Sequence, residues 1–339
     1  MTERSYNTLA DLLSSKLVTN IEIVLEAALL PDVSDNEYQP YVLIDGNLGI
    51  PQKALYGAYM TACNSFNAFR RAGDVDALLR STSVILLVNA AHYTALNARK
   101  RLVQRGQRDE ADELSWTAML LREQQASKSS LLWHHRRWLL SRLHGQPVGD
   151  TTARAVSDSV LPRLLAEQGD REVAMSAQAC EQYPRNYFAW HHRQLSIRAL
   201  SSTESETDSK MLLARELDAV QVWITQHVAD HSAVHHAAEV LNLLQRHGGD
   251  EIAARKALDH AISLLEAVPN HESLWLLLRR LLLIVPPAVQ VDFADRIAQL
   301  SIRDGSPKLH VDFTQEKISS LSPAWRAAYW RANIASVHE

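Results

Sequence analysis

Three pairs of neighbouring histidines have the residue type that could support chemistry. They are His134/His135, His191/His192 and His235/His236. A neutral imidazole is a common zinc ligand. However, adjacent helix positions point about 100° apart, so a pair cannot offer two ligands to one ion as a His-x-x-x-His spacing does. We therefore predict that the pairs serve packing and hydrogen bonding between helices, and that the chain holds no metal.

Other patterns that carry chemistry are missing from the sequence. It contains no nucleophile constellation, no Gly-rich phosphate loop and no His-Glu-x-x-His segment. Cys63 and Cys180 are too few and too far apart for a disulfide framework or a cysteine zinc site, so both are predicted to be thiols. The chain alone is not expected to be active as an enzyme.

The histidine pairs lie inside a repeated segment that must position them. In Tyr183–Leu195, Pro184 ends the preceding helix and Asn186 can cap the next one. Trp190 and Arg193 then follow one turn apart on the same face, as Trp133 and Arg136 do in Ser129–Leu140. Three weaker copies carry Leu96 with Arg99, Val234 with Ala237, and Trp275 with Arg279. Five copies of one unit predict a helical solenoid in which these tryptophans and arginines are structural anchors.

Composition and spacing give the domain plan. Only 11 glycines and 11 prolines occur in 339 residues, which favours an all-α fold in one continuous body. We predict an N-terminal helical region at 1–84, five repeats at 85–285 and C-terminal capping helices at 286–339. Two short helices are predicted within 6–30, a short hairpin near 41–50, and surface loops at 144–152 and 201–209. Trp325, Tyr329 and Trp330 are expected to close the end of the core.

Charge and hydropathy exclude several classes of partner. The formal charge of −4 offers no electrostatic footprint for nucleic acid or anionic lipid. No apolar run is long enough to span a bilayer, and the first residues do not follow the basic-then-apolar order of a secretion signal. A cytoplasmic location is expected.

The repeats resemble those of protein prenyltransferase α subunits, whose idiom is Pro-x-Asn-Tyr-x-x-Trp-x-x-Arg. Pro184 to Arg193 reproduces that idiom, and the resemblance covers about residues 85–285. The segments 41–49 and 228–236 are similar to a divergent branch of the same family. The resemblance implies a right-handed α-α superhelix, a crescent similar to tetratricopeptide arrays.

The family resemblance also implies a function. Such chains pair with a β subunit that holds zinc and the lipid cavity, and the heterodimer transfers an isoprenoid from its diphosphate to a C-terminal cysteine of a protein acceptor. Geranylgeranyl transfer with a β subunit of the Rab geranylgeranyltransferase type is favoured, and no cofactor is expected on this chain. A helical-repeat scaffold without chemistry is the alternative.

The same resemblance points to site residues. A family lysine that reaches the diphosphate corresponds to Lys128, but Ser129 and Ser130 follow it where catalytic α subunits have Asn and Tyr. Asn186 and Tyr187 correspond to family residues lining the α side of the cleft. The alternative is that Lys128 is an ordinary lysine at a helix start and that Tyr187 only packs.

Overall fold

The computed structural model describes residues 2–31, 36–145, 160–202 and 205–300, together with Asp312 and Glu316. Within them the chain forms 14 α-helices and three short β-strands, which confirms the predicted all-α class of helical repeats. The chain divides into two compact units, Met1–Ala199 and Leu200–Glu339. The boundary between the two units lies inside the predicted repeat region at 85–285.

The first unit begins with a helix and a small sheet. Helix α1 (Thr2–Ser14) precedes strand β1 (Asn20–Val24), and β2 (Val42–Ile44) and β3 (Asn47–Pro51) follow. The strand order is β1-β3-β2, with β1 parallel and β2 antiparallel to β3. Between β2 and β3, Asp45 and Gly46 both have positive φ, which suits the two-residue turn of a hairpin. The pair β2–β3 thus lies where the sequence indicates a hairpin.

The prediction of a second helix within 6–30 is wrong. Its place is taken by β1 and a 3-10 turn at Ala27–Leu29. Ile21 and Ile23 alternate with polar residues, and the strand register pairs Ile21 with Leu48 of β3. Because β-branched residues fit a pleated strand and the partner lies 27 residues away, non-local pairing overrides the helical spacing.

Helices fill the rest of the first unit. They are α2 (Gln52–Ala72), α3 (Val75–Val88), α4 (Tyr93–Gln104), α5 (Glu110–Leu121), α6 (Ser130–His144), α7 (Ala166–Gln182) and α8 (Tyr187–Ser201). Several starts are fixed by a side chain that accepts a backbone N–H of the first turn, as Asp74, His92, Asp109 and Ser129 do.

The second unit continues with α9 (Glu206–Gln226), α10 (His231–Arg246), α11 (Glu251–Ala267), α12 (Glu272–Ile284), α13 (Pro287–Asp292) and α14 (Ala294–Leu300). The loop predicted at 201–209 is shorter than expected, because α8 runs to Ser201 and Ser205 caps α9. Most of the loop predicted at 144–152, and the segment with Trp325, Tyr329 and Trp330, lie outside the described residues.

The five repeat positions equivalent to Trp190 all lie in the core. Trp133 and Trp275 are fully buried, and Leu96, Trp190 and Val234 are at most 7% exposed. The indole N–H of Trp133 donates to the Ser127 carbonyl at 2.7 Å, and that of Trp275 donates to the Pro269 carbonyl at 2.6 Å. In both repeats the indole therefore bonds the turn six residues before it, which ties the start of the helix to its core face. Among the described helices, none is long and apolar enough to cross a membrane.

Candidate functional site

A buried ion cluster joins consecutive repeats in the first unit. Arg136 of α6 donates through Nε and Nη2 to the Glu172 carboxylate of α7, at 2.7 and 2.8 Å. The Nε2 atom of His192 in α8 lies 2.9 Å from the same carboxylate. Arg136 also donates through Nη1 to the Leu114 carbonyl and the Thr117 hydroxyl of α5. Four helices are thus connected through one guanidinium and one carboxylate.

The preceding repeat contains the same construction. Arg99 of α4 donates to both carboxylate oxygens of Glu113 in α5, at 2.8 and 2.7 Å, and His135 Nε2 lies 3.1 Å from Glu113. In the second unit, His236 Nε2 lies 2.6 Å from Glu216. The second histidine of each pair therefore bonds a glutamate about 20 residues earlier, as the packing interpretation of the pairs predicts.

Burial and ion pairing set the charges of these clusters. Burial alone raises the pKa of Glu172, but Arg136 and His192 outweigh it and lower that pKa to about 2. Burial likewise raises the pKa of Glu113, and Arg99 and His135 reverse the direction, so that the net pKa is below its ordinary range. Burial lowers the pKa of both His135 and His192, although the neighbouring glutamates oppose it. The clusters at Glu113 and Glu172 thus each hold an ionic Arg–Glu pair and a neutral histidine at pH 7.

The geometry of the clusters is that of side chains that join neighbouring helices. Glu113 and Glu172 each bond an arginine and a histidine from other helices. No group of three or more His, Cys, Asp or Glu side chains suited to a metal ion occurs in the part of the chain that the structure describes. Mutual hydrogen bonds offset the lost hydration of buried charges of this kind, and here these bonds join neighbouring helices.

Lys128 lies at the start of α6, in a 3-10 turn that spans Ala126–Lys128. It is half-buried. Its ammonium Nζ donates to Gln125 Oε1 at 3.2 Å and lies 3.8 Å from the ring centroid of Tyr183, the residue that follows α7. A cation over a tyrosine face is stabilised by the ring quadrupole, so this ammonium has a defined position and is not simply extended into solvent.

Asn186 adjoins the same turn from the next repeat. Its side-chain amide donates to the carbonyl and the hydroxyl of Ser127 at 3.0 and 3.1 Å, while its Oδ1 accepts the N–H of Ala189. The indole of Trp133 bonds the same Ser127 carbonyl. Asn186 thus caps α8 and fixes the residue immediately before Lys128, which brings the starts of α6 and α8 together.

The other predicted residues lie in different surroundings. Ser130 is exposed in the first turn of α6, and Tyr187 is 61% exposed with its ring stacked on His191 at 5.9 Å between centroids. The guanidinium carbon of Arg193 lies 5.4 Å from the Trp190 ring centroid, while Arg136 is buried in its ion cluster. Arg279 follows the fully buried Trp275 by one turn and is half-buried.

Sequence reasoning missed the partners of these residues. Glu113, Glu172 and Glu216 are the carboxylates that the arginines and histidines require, and Tyr183 and Ser127 position Lys128 and Asn186. A glutamate 20 to 22 residues before the second histidine of each pair is the signal that would have found the carboxylates. Tyr183 stands 55 residues from Lys128, and nothing local marks it.

Comparison with known proteins identifies the repeat. The family model for the protein prenyltransferase alpha subunit repeat matches residues 110–143 and 170–200. These ranges contain most of helix pairs α5–α6 and α7–α8, and with them the cluster of Arg136, Glu172 and His192.

Several curated relatives are similar over most of the chain. Protein prenyltransferase alpha subunit repeat-containing protein 1 of Danio rerio is 28% identical over 275 residues, which cover 70% of this chain and 62% of the relative. The Homo sapiens protein of that name is 29% identical, over 60% of this chain and 50% of its own length. The geranylgeranyl transferase type-2 subunit alpha of Homo sapiens is 26% identical, over 66% of this chain and 37% of its own length. The aligned part of the chain thus spans less than two thirds of these relatives.

Proposed function

This chain carries protein prenyltransferase α-subunit repeats, and we propose that it is the α-type subunit of a heterodimeric protein prenyltransferase. In this proposal a β subunit of the Rab geranylgeranyltransferase type holds the zinc ion and the isoprenoid cavity. The complex transfers a geranylgeranyl group from its diphosphate to a cysteine of a protein acceptor in the cytoplasm. The similarity to a geranylgeranyl transferase type-2 subunit alpha supports this choice over farnesyl transfer.

The position of the Lys128 ammonium carries the proposal. Two consecutive helix starts converge there, since Asn186 of the α8 start bonds Ser127 beside Lys128. Tyr183 and Gln125 then hold the ammonium on the side of the chain where those starts meet. A fixed cation at this point suits an anionic ligand better than a freely moving lysine does, because less reorganisation is needed when charge develops.

In the proposed mechanism Lys128 acts by electrostatics. As the acceptor cysteine thiolate forms its bond to C1 of the isoprenoid, the bond between C1 and the diphosphate oxygen breaks, and negative charge grows on the leaving diphosphate. An ammonium that contacts this group stabilises the transition state more than the ground state, with no proton transferred. Ser130 in place of the family tyrosine removes a hydroxyl from this side, so that Lys128 is the one predicted contact from the start of α6.

A second candidate function is a scaffold without chemistry. Two observations favour it: Lys128 is already bonded to Gln125 and Tyr183, and Ser129 and Ser130 replace the Asn and Tyr of catalytic subunits. Such a scaffold would keep the repeats and still bind the β subunit. It would recognise the acceptor protein but make no contact with the diphosphate.

Single-turnover transfer by the assembled complex separates the two functions. Lys128→Ala should lower the transfer rate about 10²-fold, the lower part of the range for loss of one preorganised electrostatic donor, while Lys128→Arg keeps most of the rate. Lys100→Ala is the matched control, because the Lys100 ammonium also lies over an aromatic ring, 4.5 Å from that of Trp138. Equal rates for all four complexes would leave Lys128 without a role and favour the scaffold.

A further inference from the structure

A groove of about 1000 Å³ runs along β1 in the first unit. Six consecutive residues at 20–25 line it, so both faces of the strand contribute and the groove follows the strand edge. In the sheet order β1-β3-β2, β1 has no neighbouring strand on that side in the described part of the chain.

The strand register shows which backbone groups face the groove. The N–H of Asn20 donates to the carbonyl of Gly46 beside β3, at 3.1 Å. By the alternation of a strand, Asn20, Glu22 and Val24 direct their backbone groups at β3, and Ile21 and Ile23 direct theirs at the groove. The next outward carbonyl towards the N-terminus, that of Thr19, accepts a bond from Arg122 Nη1 at 3.0 Å. One end of the edge is therefore closed by the Arg122 guanidinium. Beyond it, Ile21 and Ile23 direct two backbone N–H donors and two carbonyl acceptors at the groove.

The walls of the groove fit an extended polypeptide. Leu25, Tyr56 and Val88 are 75%, 64% and 40% exposed and lie along it, so the groove is a place where large apolar side chains are left uncovered. The amides of Gln124, Gln125 and Gln182 also line it. Amides can donate to and accept from the outer edge of an added strand.

The charges of the groove balance. Lys53 and Arg122 are offset by Glu22 and Glu123, and the Glu123 carboxylate is already bonded to the backbone N–H groups of Gln125 and Ala126 at 2.8 and 2.7 Å. A strongly acidic or basic segment finds no complementary field here, whereas an uncharged segment loses little hydration.

We propose that this groove binds an extended, uncharged segment of the protein acceptor, which adds to β1 as a further strand. The inference rests on the proposed function, because it assigns the occupant to the acceptor of the transfer reaction. Five residues of β1 correspond to about 16 Å, so about five residues of the acceptor pair with the strand, with apolar side chains alternating towards Leu25, Tyr56 and Val88. Gln125, which lines the groove, also bonds Lys128, so the bound segment lies beside the proposed diphosphate contact.

Binding is tested with a phage-displayed library of random dodecapeptides selected on the full chain. Selected peptides should be uncharged over about five residues with alternating apolar side chains. They should bind Tyr56→Asp at least tenfold more weakly than the wild type. Tyr93→Asp is the matched control, because Tyr93, at 65% exposed, is about as exposed as Tyr56 at 64% but does not line the groove. Bound peptide should slow hydrogen exchange of the Ile21 and Ile23 amides at least tenfold.

The acceptor assignment is tested with one selected peptide extended by a Gly-Ser linker and a C-terminal cysteine tail. In the complex with the β subunit, kcat/KM for geranylgeranyl transfer to this probe should fall at least tenfold with Tyr56→Asp and remain unchanged with Tyr93→Asp. Failure to select any peptide, or unchanged hydrogen exchange at the Ile21 and Ile23 amides, would overturn the proposal that the groove binds an extended segment. Equal transfer by the two variant complexes would overturn the acceptor assignment. No transfer to any probe by a complex that binds the peptides would count against the proposed function and leave the binding result standing.

Discussion

Replacing Glu172 by glutamine removes one charge from the centre of the first unit and changes almost nothing in shape. Glu172 is fully buried and bonds Arg136 twice and His192 once. With glutamine there, the Arg136 guanidinium stays buried without its counter-charge, which typically costs about 3–5 kcal/mol. For a unit of this size that loss corresponds to a fall in melting temperature of roughly 6–20 °C.

Urea unfolding of the full chain at pH 7 measures the difference, with Glu167→Gln as the matched control. Glu167 lies on the same helix but is 80% exposed in its pair with Arg171, so its loss should cost less than about 1 kcal/mol. The difference between wild type and Glu172→Gln should also shrink in acid. Because the folded-state pKa of Glu172 is lowered from 4.5 to about 2, its contribution of about 3 kcal/mol is complete above pH 4.5 and disappears as the pH falls towards 2. Equal midpoints for the two variants at pH 7 would refute the role assigned to the buried cluster.

Three further predictions concern the same repeats. Trp190→Ala should cost about 3–5 kcal/mol in unfolding free energy, because it leaves a cavity in the core. Tyr187→Ala, on the exposed face of the same helix, should cost under about 1 kcal/mol. Similar unfolding midpoints for the two variants would contradict the core position of Trp190. Asn186→Ala should cost about 2 kcal/mol in the same assay, since it removes a helix cap and leaves buried Ser127 groups with fewer partners, and no change would contradict that linkage. The wild type should lose stability below about pH 6.5. Burial lowers the pKa of His192 in the folded chain, so the unfolded chain takes up the proton at a higher pH than the folded chain does. Unfolding midpoints that stay constant from about pH 7 to pH 5 would contradict this.

The sequence was sufficient wherever a structural feature is encoded locally. Asn186 before Tyr187 indicates a helix start, and the helix begins at Tyr187. The spacing of Trp190 and Arg193 places both on one face, because a helical turn is a local property. The histidine pairs were interpreted from the angle between adjacent helix positions, and the second member of each pair bonds a buried glutamate of another helix.

The features that the sequence did not reveal depend on distant partners. The spacing of Ile21 and Ile23 is compatible with a helix. They lie in a strand because β3, 27 residues further along the chain, supplies the hydrogen-bonding partners of β1. Lys128 looks like an ordinary lysine at a helix start, and its position over Tyr183 depends on how α7 ends beside α6. The glutamates that hold Arg136 and Arg99 come from other helices, so no short motif contains both charges.

Assembly with a β subunit tests the proposed function most directly. The full chain is co-expressed with the β subunit of a Rab geranylgeranyltransferase, and the mixture is analysed by size-exclusion chromatography with light scattering at micromolar concentration. The proposed function predicts one 1:1 species that transfers geranylgeranyl to a cysteine acceptor, since a specific subunit interface of ordinary size remains associated at that concentration. Separate elution of the two chains, with this chain shown to be folded by its helical circular dichroism and cooperative unfolding, would contradict the proposal.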